Sequence, residues 1–98
     1  MKNIDKMNLF GEYLRNRREQ LGLPLRKVAA ELDIDTSILS KIERNERVAT
    51  KEMLPTLAKT LEVQEKEIQI EFIKSTVLSE LGDLEFLTDG LKNVLKKI

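Results

Sequence analysis

Ninety-eight residues leave room for one compact domain with a short appendage and exclude a second hydrophobic core. Basic and acidic side chains balance at 17 each, 35% of residues are charged and only 4% are aromatic, a soluble mix rich in helix formers and poor in strand formers. With no cysteine and no histidine, disulfides, thiol chemistry, structural zinc and imidazole catalysis all lack their residues.

The opening MKNIDKMNLF has no apolar run of leader length. No stretch approaches the roughly 20 apolar residues that cross a bilayer, so a cytoplasmic protein without membrane association is expected. Charge is uneven along the chain: residues 1–62 carry net +2 and residues 63–98 net −2. Arg15, Arg17, Arg18, Arg26 and Lys27 place five cations in thirteen positions, which fits an anion-facing patch or a solvated helix face.

Phe10, Leu14 and Leu21, with Tyr13 beside them, predict a first amphipathic helix of about three turns that Gly22 stops in left-handed geometry. A second helix follows at once: Pro24 suits a first turn, and Leu25, Val28, Ala29 and Leu32 recur as i, i+3, i+4, i+7. Asp33-Ile34-Asp35 reads as a three-residue turn, with Asp33 suited to left-handed backbone and Asp35 placed to cap the next helix. That third helix, residues 36–44, turns Leu39 and Ile42 inward. Ser37, Ser40, Lys41 and Arg44 fall on the opposite side, with Thr36 at its edge. Hydroxyls and cations add little to folding, but they are the donors that reach phosphates and base edges in a major groove.

Asn45 ends the third helix, and Thr50 is a capping candidate for the fourth. Met53, Leu54, Leu57, Ala58 and Leu61 form the fourth helix's stripe, with Pro55 close to its start. From Gln64 a fifth pattern runs through Ile68, Ile70, Ile73, Val77 and Leu81, and Gly82-Asp83 breaks it. Leu84, Leu87, Leu91, Val94 and Ile98 then step by 3, 4, 3 and 4, a two-heptad seam with Leu95 alongside. The expected fold is all-α: a compact five-helix domain over residues 8–69 and a C-terminal helical extension over 70–98.

Helix, short turn and a second helix with an apolar inner and a polar, cationic outer face is the arrangement of a helix-turn-helix DNA reader. Residues 14–63, LRNRREQLGLPLRKVAAELDIDTSILSKIERNERVATKEMLPTLAKTLEV, resemble the phage-repressor-like and Cro-like helix-turn-helix domain of the XRE family, and are similar to small restriction-modification controllers. The family's R-x-x-x-G-L-S, mid-helix alanine and S-x-x-x-L-S-x-I-E-x-G read here as residues 18–24, Ala29 and residues 35–45. Asp33 and Asn45 replace the two usual glycines, and both residue types tolerate left-handed backbone. Leu25 stands where the family commonly has glutamine. It cannot hold a phosphate, so that role moves to Arg26 and Lys27.

The resemblance implies that Thr36, Ser37 and Lys41 reach base edges, with Ser40 at base or phosphate. It implies phosphate contacts from Arg44, Asn45, Arg47 and Lys51. Arg18 and Glu43 match a pair that ties the first helix to the recognition helix and leaves the arginine near the DNA backbone. Ile38 is expected in the core rather than against a thymine methyl.

One short recognition helix discriminates poorly among genomic sites, so a homodimer reading an inverted-repeat operator is expected, with recognition helices about 34 Å apart. Ile70, Phe72, Ile73, Val77 and Leu81 are candidates for the contact, or else for intrachain core. The dimer seam is assigned to Leu84, Leu87, Leu91, Val94 and Ile98. The preferred function is a sequence-specific regulator of transcription, a repressor or recruiter of polymerase, that needs no cofactor and no metal. The alternative is an antitoxin-like repressor whose C-terminal arm binds a protein toxin; a helical interaction domain without a DNA role is a third reading. No enzyme is expected, since carboxylates such as Glu31 and Asp33 have no nucleophile-base pair or phosphate-cradling loop beside them.

Overall fold

The computed structural model describes residues 9–98, which form six α-helices and no strand. The predicted domain start at residue 8 and most of the opening segment lie outside them. In chain order the helices are α1 (Phe10–Gln20), α2 (Leu25–Glu31), α3 (Thr36–Glu43), α4 (Leu54–Thr60), α5 (Glu65–Leu81) and α6 (Leu87–Leu95). A 3-10 turn, Lys51–Met53, leads into α4, and Pro55 falls in the first turn of α4, where its missing N–H costs nothing. No helix among the described residues is long and apolar enough to cross a membrane.

The first four helices end in the same way. Each is closed by a residue with positive φ: Gly22 (68°), Asp33 (57°), Asn45 (61°) and Glu62 (56°). At every corner two N–H groups return to orphan carbonyls of the last turn, as Gly22 and Leu23 do to Glu19 and Arg18, and Asn45 and Glu46 to Ile42 and Lys41. Glycine accepts this geometry freely and Asp or Asn nearly so, but a glutamate there costs about 1–2 kcal/mol. Arg17 holds the exception in place: its guanidinium donates to the carbonyls of Leu61 (2.8 Å) and Glu62 (3.2 Å). Arg17 is therefore the clasp of the α4 corner rather than a member of an anion-facing patch.

Two predicted side-chain caps do not form. Asp35 and Thr50 occupy the residues before α3 and the 3-10 turn, but neither side chain bonds the backbone there. The Asp35 carbonyl still receives the N–H groups of Ile38 and Leu39.

The core is built from Phe10 and Leu14 of α1, Val28 and Ala29 of α2, Leu39 and Ile42 of α3, Leu54, Leu57 and Ala58 of α4, Leu61, and Ile68 of α5. Ile38 packs partly buried against it, on the apolar side of α3. Phe72 also joins this core, its ring edge-on to Phe10 at 5.3 Å, and so leaves the set of interface candidates. Along α5 the inward positions are Ile68, Phe72 and Ser75, while Ile70 and Ile73 are exposed. The fifth pattern thus mixes two faces, and α5 runs without interruption through residues 69 and 70.

Helix α6 is shorter than the sequence seam. Leu84 and Ile98 lie outside it, and it buries none of its residues. Leu84, Leu91, Val94, Leu95 and Ile98 are exposed, Leu95 at 67% and Ile98 at 91%, while Leu87 is half-buried.

Candidate nucleic-acid interface

Helices α2 and α3 pack closely across residues 32–35, with α1 against the back of α3. The turn works because Asp33 takes the left-handed backbone and Ile34 returns its N–H to Ala29. Leu39 and Ile42 anchor the inner face of α3. Thr36, Ser37 and Lys41 are left exposed on its outer face, with no protein hydrogen bond to satisfy them among the described residues. Ser37, Lys41 and Arg44 recur as i, i+4, i+7 and form one ridge.

The other predicted contacts divide. Arg26 and Lys27 on α2, Arg47 after α3, and Lys51 in the 3-10 turn are all exposed. Arg44 is exposed too, but its guanidinium donates to Ser40 Oγ at 2.9 Å and to both Glu46 carboxylate oxygens. Ser40 is half-buried beneath it. Asn45 is half-buried, and its Oδ1 accepts the Gly11 N–H at 2.9 Å. Only the Asn45 amide nitrogen is left to meet a phosphate. Arg15 pairs with Glu19 on α1, so three of the five cations in that run, Arg15, Arg17 and Arg18, have partners within the protein.

Arg18 reaches Glu43 through two contacts, Nε to Oε2 at 2.8 Å and Nη2 to Oε1 at 3.0 Å, and donates through Nη1 to the Leu23 carbonyl. The side-chain hydrogen bond to Glu43 raises the pKa of an already permanent cation. Glu43 is 6% exposed and Arg18 14%, so a fully paired ion pair is sealed where α1 meets the end of α3. Both residues were legible as a pair, but the arginine offers little free surface to DNA.

Sequence reasoning missed Gly11 and Ser75. Gly11 is buried in the first turn of α1, and a Cβ there would press into the Ile42 and Glu43 carbonyl oxygens, the latter at 2.7 Å. Glycine near a helix start costs stability unless something approaches closely, and that was the available signal. Ser75 is buried on α5 and its Oγ accepts the Phe10 N–H at 2.8 Å. A hydroxyl at a core-facing spacing, seven residues after Ile68, was the signal there.

A rigid helix pair that presents an exposed ridge of hydroxyls and cations defines a helix-turn-helix DNA-binding module. The helix-turn-helix family model matches residues 14–68, and the chain belongs to that family. It is a double-stranded-DNA-binding transcriptional regulator. No curated protein matches the chain. Among solved structures, the clp gene regulator ClgR from Corynebacterium glutamicum shares the fold, with 23% identity, 97% of this chain and 95% of that chain covered, and a TM-score of 0.62.

Proposed function

We propose that the protein acts as a homodimer that reads an inverted-repeat operator, with α3 in the major groove and α6 in the dimer seam. Thr36, Ser37, Ser40 and Lys41 meet base edges. Arg26, Lys27, Arg44, Arg47 and Lys51 grip phosphates, with Asn45 and Arg18 contributing at the margin. The Arg44–Glu46 pair is exposed and worth at most about 1 kcal/mol, so a phosphate readily displaces the carboxylate.

The observation that carries the dimer is α6 itself. It has nine residues, fewer than the roughly 12–15 at which isolated helices persist in water, and none of them is buried within the chain, Leu87 alone being half-buried. Its leucines and valine, Leu87, Leu91, Val94 and Leu95, share one face of the helix, with Asp89 and Lys96 on the opposite face. A second copy covers that surface symmetrically, side by side with its own identical stripe. The acidic balance of this half keeps the seam away from the phosphates.

Selection of bound duplexes from a random pool, with light scattering of the free protein, tests the reading. A two-fold inverted repeat and a dimeric mass are expected. A monomer that selects a single half-site overturns it, and a monomer whose α6 docks a foreign protein replaces it with the antitoxin-like alternative.

A further inference from the structure

Helix α1 has no cap of its own. Leu9 stands at the capping position and offers no side-chain oxygen, so the first N–H groups of α1 need outside acceptors. Two other elements provide them: Ser75 Oγ of α5 takes Phe10 N–H, and Asn45 Oδ1, in the left-handed residue that closes α3, takes Gly11 N–H. Gly11 lets the backbones come this close, and the Phe10 ring packs on Phe72 of α5. The start of α1 is therefore wedged between the end of the recognition helix and the middle of α5.

The wedge lies on the path from DNA to dimer. Ser75 precedes Leu81, the last residue of α5, by six positions, about 9 Å along one uninterrupted helix. Two hydrogen bonds join the end of α3 to α5 through this wedge: Asn45 Oδ1 accepts from Gly11 N–H and Ser75 Oγ from Phe10 N–H. Leverage makes the angle matter. With recognition helices about 34 Å apart, each is about 17 Å from the two-fold axis, so a swing of about 10° displaces it by about 3 Å, close to one base-pair step.

We propose that Ser75 and Asn45 are positioning residues that fix the angle between α3 and the α5–α6 arm, and through it the half-site spacing the dimer accepts. The proposal rests on the homodimer reading. Ser75 touches no DNA; it acts through α1. A buried hydroxyl spent on a foreign helix start, in place of an apolar residue that would fill the same site, is the feature that this role explains.

The test uses the full chain and the selected duplex, resynthesised with one base pair added or removed between its halves. The wild type should lose about tenfold in affinity for either altered spacing, and Ser75→Ala should lose no more than about threefold while binding an isolated half-site as before. Ser75→Thr keeps the hydroxyl, and the groove of about 240 Å³ beside it, lined in part by Thr76 and Ser79, has room for the methyl; strict spacing should return. Asn45→Gly keeps the left-handed corner and deletes the other acceptor. It should relax the ratio between spacings in the same direction, a ratio that a lost phosphate contact leaves alone. A dimeric Ser75→Ala as strict as the wild type overturns the proposal, as does a variant weakened equally on every duplex and on the half-site. A monomeric wild type overturns the dimer reading instead, which light scattering distinguishes.

Discussion

Arg18 of α1 and Glu43 of α3 form a two-pronged ion pair, 2.8 and 3.0 Å, at the seam where the recognition helix meets the rest of the domain. Neither group has water enough to stand alone. Arg18→Ala leaves a carboxylate at 6% exposure without its cation and should cost about 3–5 kcal/mol, read as a lowered urea midpoint. Arg18→Lys should recover only part of that, because an ammonium cannot supply the parallel fork. A midpoint unchanged by Arg18→Ala would show that the pair contributes nothing.

Lys41 and Arg47 should fail differently. Lys41→Ala is expected to reduce discrimination among operator variants. Arg47→Ala should weaken every duplex alike and lower the salt slope by about one. Titrations of matched and mismatched duplexes at several salt concentrations separate the two, and identical profiles would contradict the assignment.

A charge in the α6 stripe should part the proposed dimer. Leu91 and Val94 are exposed within one chain, so Leu91→Glu and Val94→Glu should leave its fold intact and bury a carboxylate only in the proposed seam. Light scattering should report the monomer mass with unchanged helical signal. A dimeric double variant would take α6 out of the interface.

The single tyrosine provides a pH reading. Burial, followed by the hydrogen bond its hydroxyl donates to Glu67, raises the Tyr13 phenol well above its ordinary 10.0. The unfolded chain therefore loses this proton before the folded one, so the stability it contributes is complete below pH 10 and declines as pH rises beyond it. Phenolate absorbance should lag behind that of the unfolded chain. Tyr13→Phe should make stability fall less steeply above pH 10, and identical alkaline slopes would refute the linkage.

The α4 corner offers a gain. Glu62→Gly removes the left-handed penalty but loosens the unfolded chain, for a net stabilisation of up to about 1 kcal/mol. A differential melt against wild type checks it.

What the sequence made legible is local. Asp33 and Asn45 announced their left-handed corners because few residue types accept them, and the Leu39–Ile42 spacing exposed the opposite ridge of α3 without reference to any other element. What stayed hidden depends on two distant segments at once. Glu62 carries no turn signal, and its conformation is held by an arginine 45 residues earlier. Arg17 looked like its neighbours until α4 arrived beside it, and the caps of α1 come from residues 34 and 65 positions away. Ile68 and Ile70 are alike in the sequence, and only the packing of α1 and α4 on α5 decides which is buried.

The exposure of the α6 stripe has an evolutionary consequence for the proposed dimer. Because none of its side chains is buried in the interior that shapes α3, the proposed dimer would have its choice of mate and its choice of base edges inscribed in separate stretches of the gene. Substitutions in the tail would then be free to retune affinity between subunits, or to keep a paralogue from pairing, without altering a single letter of the half-site that α3 reads.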